Sequence, residues 1–298
     1  AFLDNLSGPG LSALRDDFFG VDYNPRLLRQ LRNFLVDAIL KPSMSALPPR
    51  VLPYPSDGRC RWQTAPRNPS TRAVGMTTIG GSGQSERKKK CLDRDGGRCA
   101  LSGVIDTDLY GKIPPSERKG AKHSCTECAH ILPFALSKLK EKNATHTKNK
   151  ATAWWALYEY FPALRRKIGA ESVNQPGNAI TLWSSIHKEL GLFSYGFQRW
   201  RRYVLRVHRD LLGMLINIFA ASQLPATVTF AQHKPAVLHL DPDILDVHLR
   251  IGHILKVSGI GYRIQRTLSE CAWDEQHIES DGSTDLGGIL RRKMLMEI

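Results

Sequence analysis

Three side chains in this 298-residue chain are of types, and at spacings, that could do chemistry together: His130, Asn178 and His187. His130 stands in Cys125-Thr126-Glu127-Cys128-Ala129-His130-Ile131-Leu132-Pro133-Phe134, which reads as a strand closed by a proline. Asn178 opens Gly177-Asn178-Ala179-Ile180-Thr181-Leu182, and a helical run about nine residues further on carries His187. An imidazole can take a proton from water near neutral pH or hold a divalent metal through one nitrogen. Each residue alone is a weak signal. A histidine at a strand end is commonly a structural hydrogen-bonding group, and an Asn after a Gly is commonly turn chemistry. Their order and spacing make them a candidate site.

The elements that must hold these residues can be read from pattern. Ser85-Glu86-Arg87-Lys88-Lys89-Lys90 predicts a basic helix start, and as a lysine-rich run it reads as a solvated face. Asp95-Gly96-Gly97 predicts a turn, Arg98 to Leu101 a short strand, and residues 106 to 122 a polar loop. A second strand is expected from His123 to Leu132. Ala151 to Ile168 predicts an aromatic helix interrupted at Pro162, with its Trp and Tyr side chains in the core. Residues 183 to 190 predict the short helix that carries His187. Upstream, residues 11 to 40 are helical in pattern, and residues 42 to 85 are rich in Pro, Gly, Ser and Thr. Downstream, strands are expected at Ala226 to Phe230 and Val237 to Leu240. A helix is expected from about Pro242 to Val257, with another possible near the end of the chain.

Composition narrows the partners. Forty-two Lys and Arg against 28 Asp and Glu give a formal charge of +14, which suits a polyanion, nucleic acid before an acidic membrane. Lys138, Lys140 and Lys142, just after the His130 strand, and Arg199, Arg201 and Arg202 around Trp200 are the candidates for phosphate contact. No base-reading motif stands out. The longest apolar run, about Leu211 to Ala221, is too short to span a bilayer and predicts a buried helix. Six cysteines are too sparse for a disulfide scaffold, so reduced thiols inside a cell, in nucleus or cytoplasm, are expected, with no signal peptide. Cys125 and Cys128 sit three apart in an expected strand. They would face opposite sides and chelate one ion poorly.

The His, Asn, His order, the Ala-His-Ile stretch and the opening Arg98-Cys99-Ala100-Leu101-Ser102-Gly103 together resemble the HNH nucleases. The resemblance is to the branch in which Ala-His-Ile replaces Asp-His-Ile, as in fungal-type HNH domain proteins, and it covers about residues 85 to 205. It implies an α+β protein with a central ββα-metal nuclease domain at 85–205. A helical extension at 1–42, a linker at 43–84 and a mostly helical extension at 206–298 would surround it. It further implies a metal-dependent endonuclease acting on nucleic acid, expected to be double-stranded DNA. His130 would be the general base and His187 a metal ligand. Asn178 would fix the site or reach the metal. The cofactor would be a divalent ion, Mg²⁺ or Mn²⁺, with Zn²⁺ as the alternative.

One departure bears on activity. Ala129 stands where many such enzymes carry an Asp or His that ligates the metal. Glu127 could substitute, but strand alternation predicts that it faces away from His130. Two other readings follow: a scaffold that binds nucleic acid without cutting it, and a toxin-like effector that needs a partner.

Overall fold

The computed structural model describes residues 1–22, 24–44, 80–133, 136, 144–201, 204–209, 225–230 and 233–273. It mixes helices with three small sheets. In chain order the longer elements are α1 (Gly8–Gly20), α2 (Pro25–Leu35), α3 (Gly80–Arg94), β1 (Ile105–Asp106), β2 (His123–Ser124) and β3 (Thr126–His130). There follow α4 (Ala144–Tyr160), β4 (Ala179–Trp183), α5 (Ser184–Gly191), β5 (Tyr195–Arg201), β6 (Val204–Arg209), β7 (Thr227–Thr229), α6 (Pro242–Ser258) and α7 (Ile260–Trp273). No helix among the described residues is long and apolar enough to cross a membrane.

His130 lies on an antiparallel pair that is followed by a helix. β3 pairs with β4 from Thr126↔Trp183 to His130↔Ala179. α5 leaves β4 directly, and both α3 and α5 pack against the pair. β4 is covered throughout, which is why Ala179 to Leu182 read as an unbroken apolar run apart from Thr181. In α3 the inward face carries Arg87, Cys91 and Arg94, at helical spacing, while Glu86 and Lys90 pair across the outer surface at 2.7 Å. Gly96 and Gly97 end the helix with φ of 69° each, a conformation that costs a side-chain-bearing residue and not glycine.

A buried ion pair fastens α3 to β4. Arg94 binds Asp95 at 2.7 and 2.8 Å and also donates to the carbonyls of Pro176 and Ala179. Asp95 in turn accepts from the Thr181 amide at 2.9 Å. Every donor of the guanidinium plane that is used points at a fixed acceptor, so the desolvated charge is compensated. On the other side, buried Asp106 accepts from Thr126 Oγ1 at 2.5 Å and from Lys88 at 3.4 Å, tying β1 to the start of β3.

One apolar cluster runs from Leu6 to Ile264 and takes in residues on α1, α2, α4, β3, β4, α5 and α6. Leu157, Tyr160 and Phe161 are buried in it as the aromatic stripe predicts, and Trp154 donates to the Leu136 carbonyl at 2.8 Å. Trp155 departs from that pattern and is 53 % exposed. α6 begins at an Asp241 cap with Pro242 in the first turn and ends at Gly259, whose φ is 69°.

Several local expectations change. Arg98 makes a single bridge to Ile105 and the chain then turns, so no strand forms at Arg98 to Leu101. The pairing moves to β1, which runs parallel to β2. The long strand from His123 divides at Cys125, because its first two residues pair with β1 and its last five with β4. Residues 106 to 122 include the short helices Thr107–Tyr110 and Pro115–Arg118. Val237 to Leu240 has no ladder partner, while Thr227–Thr229 pairs with β6. The Leu211 to Ala221 run and the end of the chain past Trp273 lie outside the described residues.

Candidate active site

His130 closes β3, and its ring is held by an asparagine far away in sequence. His130 Nε2 lies 3.0 Å from Asn174 Oδ1, which also accepts from Arg87 Nη1 at 2.7 Å. A carboxamide oxygen can only accept. Nε2 therefore carries the hydrogen, and the lone pair sits on Nδ1. Desolvation and the neighbouring charges of Arg87 and His187 push the imidazole down to about 3, against a smaller opposite effect from Asn174. The ring is neutral at physiological pH, the form that can accept a proton.

His187 lies in the first turns of α5. Its Nδ1 is 2.5 Å from Glu127 Oε2. The carboxylate accepts, so Nδ1 donates and the lone pair falls on Nε2. Desolvation raises the Glu127 carboxyl, but the His187 hydrogen bond and charge, with help from Ser184 and Lys88, hold it below its usual range. Alternation along β3 predicts Glu127 away from the site. It comes back because α5 starts at the Thr126↔Trp183 end of the pair, within reach of Glu127. His130 and His187 are close enough for their charges to interact.

Asn178 is fully buried, just ahead of β4. Its Oδ1 accepts from the Leu132 amide at 2.8 Å, and its Nδ2 donates to the carbonyls of Leu132 at 2.9 Å and Val173 at 2.8 Å. The carboxamide clasps the chain leaving β3 to the chain entering β4, across an excursion that includes α4. Both its donors are spent on backbone. Ala129 is also fully buried, opposite Ile180 in the apolar cluster.

Among the basic candidates, Arg199 is exposed on β5. Lys138, Lys140, Lys142 and Arg202, together with the side chain of Arg201, lie outside the described residues. The basic run on α3 is only partly a solvated face: Arg87 is 8 % exposed and points inward to Asn174. Its spacing from Cys91 and Arg94 on one helical face was the available signal. Asn174 had none, and Glu127 was set aside by strand alternation; their contacts join residues 44 and 60 apart.

The cysteines also differ from expectation. Cys125 is disulfide-bonded, so the thiols are not all reduced. Cys128 meets Cys91 with the sulfurs 3.1 Å apart. No group of three or more His, Cys, Asp and Glu among the described residues could hold a metal ion.

Residues 99–198 match the model of a family described as HNH endonuclease. The matched stretch contains His130, Asn178 and His187 and the whole β3, β4, α5 unit. The match covers this stretch and not half of the chain. Neither a curated protein nor a solved structure matches.

Proposed function

We propose that this chain is a metal-dependent endonuclease that hydrolyses phosphodiester bonds of double-stranded DNA at the junction of β3, β4 and α5. The observation that carries the reading is the Glu127–His187 hydrogen bond, which leaves the His187 Nε2 lone pair for a ligand beside a neutral His130. A carboxylate on the far nitrogen of an imidazole is the usual support of a metal-ligating histidine. His130 takes a proton from water through Nδ1. Asn174 holds the opposite nitrogen, and Arg87 holds Asn174. Asn178 serves by bracing the segment behind His130.

A divalent ion at His187 would supply charge neutralisation at the scissile phosphate and leaving oxygen. The donor set fits an ion that keeps several waters, Mg²⁺ or Mn²⁺, since one imidazole is what the described residues offer and Ala129 adds none. The net charge of +14 favours a polyanionic substrate. The test is nicking of supercoiled plasmid with Mg²⁺ or Mn²⁺, and with EDTA. Metal-dependent nicking is expected, and its absence from pure, folded protein would refute turnover.

The lack of a second protein ligand among the described residues favours a rival reading, a scaffold that binds DNA without cutting it. Salt-dependent DNA binding with no nicking under any divalent ion would establish that reading.

A further inference from the structure

Cys91 on α3 and Cys128 on β3 are both unbridged, and their sulfurs stand 3.1 Å apart. A disulfide bond is about 2.05 Å long, so closure requires a movement of only about 1 Å. The two differ in access. Cys91 is fully buried, while Cys128 is partly exposed. They differ in charge as well. The hydrogen bond from Cys91 and the nearby Arg87 and Arg94 bring the Cys128 thiol down to about 7, and Cys91 is pushed up.

The pair lies against the catalytic machinery. Cys128 is two residues before His130, and Arg87, whose charge bears on Cys128, hydrogen-bonds Asn174, which holds the His130 ring. We propose that Cys91 and Cys128 are a reversible oxidation site whose disulfide lowers the activity of the His130 centre. The regulatory half of this rests on the nuclease reading above; the oxidation itself does not.

The oxidant is a peroxide. The Cys128 thiolate attacks one peroxide oxygen, the O–O bond breaks, and the departing hydroxide takes up a proton as water, leaving a sulfenic acid. Cys91 then attacks that sulfur, the S–O bond breaks, and the hydroxide leaves with the Cys91 proton as a second water. Two thiols give up two electrons in all, and an added dithiol returns them. The disulfide draws α3 toward β3. Displacing a catalytic group by about 1 Å costs up to about 10²-fold in rate.

The test treats the full chain with hydrogen peroxide, blocks remaining thiols and maps the peptides. A linked pair containing Cys91 and Cys128, released by dithiothreitol, is expected. Cys91→Ala should stop at a sulfenic acid on Cys128, trapped by dimedone, and Cys128→Ser supplies a second unlinked control if that variant folds poorly. Oxidation of Cys128 to higher acids with Cys91 still alkylatable, in folded wild type, would overturn the proposal. Nicking by the oxidised protein should fall at least tenfold and recover with dithiothreitol, and neither single variant should show the fall. A linked pair with unchanged nicking would refute the control of activity. Linkage in a chain that never nicks, even reduced, would refute the nuclease reading and leave the oxidation site standing.

Discussion

Glu127 Oε2 sits 2.5 Å from His187 Nδ1, joining a strand residue to a helix residue 60 positions later. The contact fixes the tautomer of His187 and points its other nitrogen away from Glu127. Glu127→Gln keeps the shape and removes the charge. Metal affinity should fall about 10- to 100-fold, the usual cost of losing such a partner. Calorimetry with Mn²⁺ reads this directly, and an unchanged affinity would mean that His187 holds no metal.

Asn174 is expected to set the basicity of His130. Asn174→Asp puts a carboxylate on the Nε2 hydrogen, so the His130 pKa should climb from about 3 toward the range of an ordinary histidine. The nitrogen and proton resonances of the ring, followed against pH, measure it. A pKa that stays near 3 would show that Asn174 does not bear on the ring.

Stability should decline on mild acidification. Buried His248 stacks on Phe193, and burial pushes it down to about 4 from the usual 6.5. Between pH 6.5 and 4 the unfolded chain takes up a proton that the fold refuses, so unfolding is favoured as pH drops through that window. His130 acts in the same direction, down to about 3. Each such group contributes a slope of at most about 1.4 kcal/mol per pH unit. Urea midpoints at pH 7 and pH 5 should differ, and His248→Phe should narrow the gap. An equal gap in that variant would contradict the assignment.

An acid at position 129 would match the commoner Asp-His pattern, yet the structure predicts harm from it. Ala129 is buried in the apolar cluster opposite Ile180, so Ala129→Asp buries a charge with no partner there. A loss of several kcal/mol of stability, about 3 or more, is expected with no gain in metal affinity. Thermal melting and Mn²⁺ calorimetry check both halves. A stable variant that binds metal more tightly would place position 129 at the ion.

What could be read in advance were features set by local physics. α5 follows from a helical period, while the stretch before it, read only as the lead into that helix, forms β4. α6 follows from Asp241-Pro242 at its start and Gly259 at its end. His130 and His187 drew attention through their order, their spacing and the motifs around them. The supporting residues did not. Arg87 looked like one more surface cation, and only its approach to Asn174, 87 positions away, shows otherwise. Glu127 failed for a related reason: alternation describes a strand against its own sheet, not against a helix that leaves the sheet's end. The ladder at Arg98 stops after one bridge because the chain turns at once, with the Gly103 amide donating back to the Cys99 carbonyl.

The account turns on His130 as the group that takes the proton from water. Wild type and His130→Ala should be compared in supercoiled-plasmid nicking over a range of Mn²⁺, with thermal melts to show that both are folded. The expected result is a fall of about 10²- to 10⁴-fold in the variant at every metal concentration, with DNA binding retained. Nicking at the wild-type rate by folded His130→Ala protein would contradict the central claim.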